Sequence, residues 1–332
     1  MDTRNDLREF LTTRRARLTP GQVGLPDYGG RRRVPGLRRE EVALVAGMSV
    51  EYYVRLERGN ATGVSEAVLE GISRALQLDD AERSHLYDLV RAANQGTHPQ
   101  RRRGRARTQQ VRPGVQQLLD AMENVPAFVQ NGRLDILAIN RLGQAVFSEM
   151  YVQPQRPANF GRFVFLDPRA HTFYRDWDDA AHQTVALLRT EAGRVPHDRA
   201  LTDLVGQLST RSDAFRTLWA SHDVREHRTG VKLIHHPVVG DLDLSYEGMD
   251  LTSDRGLLFL AYTAAPGTPS NDALRVLMSW AATHEEEVRG SPVAAEAGDD
   301  SEIVLGCRGH LGQHLGPMAK RGRTSRRLLL LR

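Results

Sequence analysis

The stretch VALVAGMSVEYYVRLERG, residues 42–59, spaces its apolar side chains as a helix does, but it contains Gly47 and, two positions later, a serine. Glycine inside a helix costs about 1 kcal/mol relative to alanine, so one continuous helix is unfavourable here. Glycine adopts the left-handed conformation that ends a helix without strain, and Ser49 is a good N-cap for a following helix. The stretch therefore predicts two helices joined by a tight turn.

The two predicted helices have a buried and an exposed side. In the first, over residues 38–46, Val42 and Ala43 face inward, and the small Ala43 lets the two helices cross closely. Tyr53 faces inward from the second helix. An ordinary helical hairpin would leave the other side solvated, whereas a reader of the DNA major groove would present polar and aromatic groups there. The outward set of the second helix is Ser49, Val50, Glu51, Tyr52 and Arg55.

The length of 332 residues suggests about two domains. Residues 94–112 contain six arginines and no acidic residue, which marks a linker that is either only solvated or also touches phosphates. Residues 1–93 show helical periodicity throughout and predict about five helices. We therefore assign the domains to residues 1–93 and 113–284, and we expect the aperiodic tail 285–332 to be poorly ordered.

After the linker the periodicity becomes that of strands. Asn131-Gly132 stands between two apolar runs, which is a strong signal for a hairpin. In the second of these strands, strict alternation places Leu134, Ile136 and Ala138 on one face, and the intervening residues on the other.

Three more strands follow a long helical section. The second hairpin is expected to turn near Gly240-Asp241, and the run GLLFLAYT from Gly256 supplies the last strand. The predicted fold class is α+β: an all-α N-terminal domain, followed by a single antiparallel sheet covered by helices.

The net charge of +4 is unevenly distributed along the chain. The linker is strongly basic, whereas residues 113–284 carry 16 basic and 20 acidic side chains. This pattern favours nucleic acid as a partner of the N-terminal part of the chain.

We expect a cytoplasmic protein without a secretory signal or membrane partner. The N-terminus is charged, no apolar run approaches the roughly 20 residues that cross a bilayer, and Cys307 is the single cysteine.

Two blocks of sequence carry a resemblance to a known DNA-binding class. REEVALVAGMSVEYYVRLERG followed by VLEGISRALQL resembles the lambda-repressor-like, xenobiotic-response-element class of helix-turn-helix domains. The blocks LTPGQVGLPDYGGRRRVPGLRREEVA, RFVFLDPRAHTFYRDW and APGTPSNDALRVLMSWAAT resemble the actinobacterial MmyB-like transcription regulators, over about residues 6–283. The resemblance implies a PAS-like sensor domain after the DNA-binding domain, and a fatty-acid-like or other apolar small molecule in its pocket.

Arginines near the predicted helix-turn-helix are candidates for phosphate contacts, which set the register on DNA without reading its sequence. A solvated charged loop is the alternative for this set: Arg31, Arg32, Arg33, Arg38 and Arg39. Arg55 is the candidate for a direct base contact, since arginine reaches two acceptors of guanine at once. An ion pair with Glu51, four residues earlier, competes with that role.

The sheet and its helices are expected to enclose an apolar pocket with one polar end, although a fully packed core remains the alternative. The candidate ligand-binding residues are Asn140, Phe147, Arg228, His235, His236 and Tyr262. The other role for Asn140, and the favoured one, is to cap the helix that follows it. Since His235 and His236 are adjacent in a strand they point to opposite faces, and one of them is a candidate for a plain core histidine.

No catalytic constellation, cofactor motif or complete metal site emerges from the sequence. Cys307, His310 and His314 have zinc-like spacing but no fourth ligand nearby. We therefore expect a transcription regulator rather than an enzyme, which binds double-stranded DNA and a small apolar ligand such as a fatty acid, and acts as a homodimer. The alternative is a DNA-binding protein whose PAS-like domain serves only dimerisation or protein interaction.

Overall fold

The structure, a computed structural model, describes residues 2–26, 36–95, 110–152, 154–223 and 229–290. In the first two ranges the chain forms the five expected helices, which are α1 Thr3–Arg17, α2 Arg39–Ala46, α3 Val50–Glu57, α4 Glu66–Ala75 and α5 Asp80–Gln95. They enclose one hydrophobic core, to which α1 contributes Leu7, Phe10 and Leu11.

The helix-turn-helix forms as the local sequence requires. Gly47 ends α2 in the left-handed conformation, at a φ of 71°. Ser49 then caps α3, since its hydroxyl accepts a hydrogen bond from the backbone nitrogen of Tyr52 at 3.2 Å. Val42 and Tyr53 are both buried, as predicted.

A close approach of α4 to the end of α2 fixes the position of this motif. A Cβ atom on Gly71 would lie only 2.7 Å from the carbonyl oxygen of Ala46. The following helix, α5, begins with the reciprocal capping pair of Asp79 and Glu82, whose side chains each accept from the other's backbone nitrogen. Local capping therefore defines where the helices of this domain begin and end.

The second domain is an antiparallel sheet with helices. Its strands run in the order β2-β1-β5-β4-β3, and every neighbouring pair is antiparallel. The α+β prediction is confirmed. Its elements are α6 Pro113–Ala121, β1 Ala127–Asn131, β2 Ile136–Ile139, α7 Arg141–Val146, α8 Phe160–Leu166, α9 Ala170–Phe173, α10 Trp177–Arg194, α11 Arg199–Arg211, α12 Asp213–Trp219, β3 Thr229–His236, β4 Gly240–Asp250, β5 Leu257–Thr263 and α13 Pro269–Gly290.

Both faces of the sheet are partly covered by helices. The inner face packs against α7 to α10 and α13 in a core rich in aromatic rings, including Phe128, Phe147 and Tyr262. On the outer face, α6 covers β1 and β5 through Val115 and Leu119. A layer of apolar side chains therefore lies between α10 and the inner face of the sheet.

The predicted alternation in β2 is wrong. Gln130 pairs with Ile136 whereas the neighbouring Val129 pairs with Ala138, so Leu137 is an extra residue that forms a bulge. Because of the bulge, Ile136 packs into the inner core while Ala138 packs on the α6 side. Leu134 lies in the turn, at a φ of 66°, and packs against the cluster around α10 and α11 instead.

Two helices run past the predicted domain limits at residues 93 and 284. Helix α5 continues to Gln95, and α13 continues to Gly290, past the expected limit at residue 284. The arginine-rich part of the linker, 96–109, and the tail 291–332 lie outside the described residues. None of the helices in the described ranges is both long and apolar enough to cross a membrane.

Candidate DNA-binding surface and ligand cavity

The outward side of α3 is an open surface. Of the predicted set, Ser49, Val50, Glu51 and Arg55 are exposed and Tyr52 is half-buried. A shallow groove joins part of this set to residues that the sequence reasoning missed. The lining of the groove is Val50, Glu51, Val54, Arg55, Arg58 and Asn60. Sequence spacing could have identified Val54 and Arg58. Val54 lies one helical turn beyond Val50, and Arg58 lies one turn beyond Val54.

The Arg55 guanidinium lies over the ring of Tyr52, with 4.6 Å between its central carbon and the ring centroid. Among the described residues no carboxylate forms an ion pair with it, so the competing pair with Glu51 is absent. A cation over an aromatic face is held by about 0.5–1 kcal/mol at an exposed site. The stacking therefore orients the arginine while leaving its donors free to meet a base edge.

The two candidate phosphate-binding arginines that the structure describes differ in their surroundings. Arg38 is exposed at the start of α2, where its guanidinium lies 3.3 Å from Glu40. Arg39 forms an ion pair with the buried carboxylate of Glu57. Arg38 is thus the freer of the two to meet a phosphate. Arg31, Arg32 and Arg33 lie outside the described residues.

A small cavity lies between the inner face of the sheet and α10. Its volume is about 30 Å³, which is room for about one or two water molecules. Of the six residues predicted to bind a ligand, Tyr262 lines it. The full lining is Phe128, Gln130, Leu134, Phe160, Tyr174, Ala180, Gln183, Thr184, Leu187, Lys232 and Tyr262.

Lys232 supplies a polar end to this cavity. Its ammonium group donates a hydrogen bond to Oε1 of Gln183 at 3.1 Å, and lies 5.7 Å from the ring centroid of Tyr174 and 5.9 Å from that of Tyr246. Burial lowers the pKa of Lys232 to about 8, with Asp179 opposing the shift. The sequence could have identified Lys232 as a candidate, because it is a charged residue among the inward-facing apolar positions of its strand.

Asn140 does not reach the cavity. It caps α7, where its Oδ1 accepts from the backbone nitrogens of Gly143 at 2.8 Å and Ala127 at 3.0 Å. Its Nδ2 donates to the carbonyl oxygens of Met122 and Val125, each at 2.7 Å. All its hydrogen-bonding capacity is used in holding β1 to α7, which agrees with the capping alternative rather than with a ligand contact.

The two adjacent histidines point to opposite faces of β3, as expected. His235 is exposed and its Nδ1 lies 2.6 Å from Oδ1 of Asp241, away from the interior. His236 is fully buried; its Nδ1 accepts from the backbone nitrogen of Val238, so Nε2 carries the proton that is donated to the carbonyl oxygen of Ala145 at 3.0 Å. Burial lowers the pKa of His236, with the Ala145 hydrogen bond opposing, so it serves as a neutral anchor between β3 and α7.

The remaining ligand candidates are Phe147 and Arg228. Phe147 is buried in the inner core, with its ring 5.4 Å from that of Tyr262 and 5.6 Å from that of Phe128, and supports the cavity wall from behind. Arg228 lies outside the described residues. The structure therefore brings Tyr262 and Lys232 to one cavity, but not Asn140 or the histidines.

In the part of the chain that the structure describes, no three potential metal ligands come together. Cys307, His310 and His314 lie outside that part. The ionisable groups that define the two surfaces are arginines at α3 and a lysine under α10.

Comparison with known families agrees with this division into two parts. The family described as the MmyB-like transcription regulator ligand binding domain matches residues 111–277. A helix-turn-helix domain family matches residues 6–86. No curated protein matches the chain significantly.

Proposed function

Since the chain belongs to the MmyB-like transcription regulators, with a helix-turn-helix domain and a ligand-binding domain, we propose that its ligand is an apolar molecule with a carboxylate end, such as a fatty acid. We further propose that the ligand lies between α10 and the sheet, and that its binding changes how α3 reads operator DNA. The protein would do so in the cytoplasm, as a homodimer that contacts two half-sites, and its domains point to regulation rather than catalysis.

The observation that carries the ligand class is the placement of Lys232. A buried ammonium group is costly unless it is paired with an opposite charge. Its one close hydrogen-bond acceptor in the described residues is the neutral amide of Gln183. A carboxylate arriving beside Nζ would add to the negative charge of Asp179, which already opposes the lowering of the pKa of Lys232, while Phe128, Phe160 and Leu187 would contact an alkyl chain.

The cavity must open to accept such a molecule. Sites for small molecules commonly have about 300–1,000 Å³, whereas the space here is about 30 Å³. The space in this arrangement is too small for such a ligand, and we propose that α10 moves away from the sheet when the ligand binds.

Replacing Lys232 with methionine should separate acids from alcohols. We expect dodecanoic acid to raise the melting temperature of the wild-type chain, because a ligand of the folded state stabilises it by about 2.7 kcal/mol at a hundredfold excess over its Kd. In K232M the acid should lose at least tenfold in affinity, while dodecanol should bind both proteins alike. The three tryptophans, Trp177, Trp219 and Trp280, all lie in this domain.

Val231→Thr is the matched control for that experiment, since Val231 precedes Lys232 but is exposed on the opposite face of β3. It should behave like the wild type. Equal loss of acid and alcohol in K232M would contradict the carboxylate assignment. If neither compound shifts the melting temperature and mass spectrometry of the purified protein reveals no bound molecule, the domain serves dimerisation or protein interaction instead.

Replacing Arg55 with alanine should weaken binding to the preferred operator by about 1–3 kcal/mol, and relax discrimination at one base position. The operator would be selected from random duplexes with the wild-type protein, and affinities measured by fluorescence anisotropy. Arg216→Ala removes the same charge from an exposed site in the second domain, and should leave discrimination unchanged. An equal loss on all sequences would show that Arg55 contacts only phosphate.

A further inference from the structure

The two domains pack against each other through α10. Helix α5 of the first domain lies along it, and the His85 ring of α5 packs close to Gly193. A Cβ atom at position 193 would lie 2.5 Å from Cε1 and 2.6 Å from Nδ1 of His85. Glycine at this position therefore allows α5 to dock at this distance.

Buried charges cross the same interface in both directions. Arg189 of α10 lies 3.7 Å from Asp6 of α1, and Arg14 of α1 donates to the carbonyl oxygen of His222 at 2.7 Å. Arg14 also pairs with Glu82 at 2.6 Å within its own domain. Each domain therefore supplies partners to a buried arginine of the other, and separating the domains changes the surroundings of both arginines.

The docked interface is incompletely satisfied. Within the described residues, Nε of Arg189, Nη1 of Arg14 and Nδ1 of His85 are buried without a hydrogen-bond partner. A buried polar group left unpaired costs about 1–3 kcal/mol. These costs offset part of the contact energy of docking.

The ligand cavity and the interface share one rigid element. Ala180, Gln183, Thr184 and Leu187 of α10 line the cavity, and the docking residues Arg189 and Gly193 follow on the same helix. The cavity also borders on a cleft at the interface. This cleft of about 220 Å³, to which α5 contributes Ser84 and Asp88, is lined by three residues that line the cavity as well: Gln130, Leu134 and Leu187.

We propose that ligand binding and domain docking are antagonistic, because a ligand that enters under α10 displaces the helix from the position that receives α5. This inference rests on the proposed ligand-binding function. Close-packed elements switch between discrete arrangements rather than deform continuously, so a shift of α10 large enough to open the cavity also breaks the contact between His85 and Gly193. The helix-turn-helix domain is then free to reorient relative to the sensor domain.

Reciprocity makes the proposal testable with a variant that acts only at the interface. If ligand weakens docking, then weakened docking must tighten ligand binding by the same factor. Gly193→Ala places a methyl group where the His85 ring lies. Alanine is favoured over glycine inside a helix by about 1 kcal/mol, so α10 and its domain keep their fold, which tryptophan fluorescence during urea unfolding would verify.

The experiment measures the affinity of the full chain for dodecanoic acid by calorimetry, and its radius of gyration by small-angle X-ray scattering. We expect G193A to be more extended than the wild type and to bind the acid about fivefold or more tightly, which is the lower range of common allosteric coupling. The double variant H85A/G193A, in which the missing ring makes room for the methyl group, should return both values toward those of the wild type. Dodecanoic acid should extend the wild type as the substitution does.

The outcomes separate this inference from the function on which it rests. Equal affinity in all three proteins, or weaker binding in G193A, would overturn the antagonism while leaving ligand binding intact. Failure of every protein to bind the acid would overturn the proposed function and the inference together.

Discussion

Replacing Glu57 with alanine should lower the free energy of unfolding of the N-terminal domain by about 3–5 kcal/mol, the usual cost of removing one partner from a buried ion pair. The Glu57 side chain is 2% exposed and its carboxylate is shared by Arg15, at 2.7 Å, and Arg39. The Tyr53 hydroxyl adds a hydrogen bond at 3.4 Å. Without the carboxylate, the largely buried Arg15 faces no opposite charge, and the link between α1, α2 and α3 is lost.

Circular dichroism during urea unfolding would measure this effect, and operator binding should fall with the folded fraction. Glu51→Ala is the control for stability, since Glu51 is exposed on the same helix and its removal should change the free energy of unfolding by less than about 1 kcal/mol. If E57A were as stable as E51A, the carboxylate would not be holding the three helices together.

Replacing Asn140 with alanine should destabilise the second domain by about 3–5 kcal/mol, because four backbone groups lose their partner in a buried setting. Asn140→Asp would turn a carboxylate oxygen toward the two carbonyl oxygens that Nδ2 now donates to, so at neutral pH it should be no more stable than N140A. Tryptophan fluorescence during urea unfolding reports this domain. A small effect of N140A, with loss of dodecanoic acid binding, would instead return Asn140 to the role of a ligand contact.

The features that sequence predicted well are those set by near neighbours in the chain. The Gly47 and Ser49 pair specifies a helix end and a helix start within three residues, and Asn131-Gly132 specifies a turn, so neither depends on distant packing. The hairpins of β1 with β2 and of β3 with β4 also follow from short connections, whereas the pairing of β1 with β5 joins distant parts of the chain.

The features that sequence missed depend on packing between distant elements. The bulge at Leu137 reverses the face of the residues after it, and strict alternation cannot reveal such an insertion. Lys232 reaches the cavity because β3 comes to lie under α10, about fifty residues away in the chain, where it meets Gln183. The contact of His85 with Gly193 joins two domains, and the sequence around neither residue predicts it.

The histidines show that a residue can be placed on the correct face of its strand while its binding partners stay unpredicted. His236 lies where a ligand contact was predicted, yet both its ring nitrogens have backbone partners: Nε2 anchors β3 to Ala145 of α7, and Nδ1 accepts from Val238 in the turn after β3. Residue type and strand position placed it on the inner face, but only the surrounding backbone groups decide what it binds.

Operator affinity with and without ligand tests the central claim most directly. Fluorescence anisotropy would be used to titrate the wild-type chain and K232M onto a labelled operator duplex, in the absence of ligand and at saturating dodecanoic acid. We predict that the acid changes the operator Kd of the wild type at least fivefold, and that K232M at the same acid concentration shows less than half of that change on a logarithmic scale. Identical operator affinities for the wild type with and without bound acid would contradict the account of a DNA-binding regulator controlled through the cavity under α10.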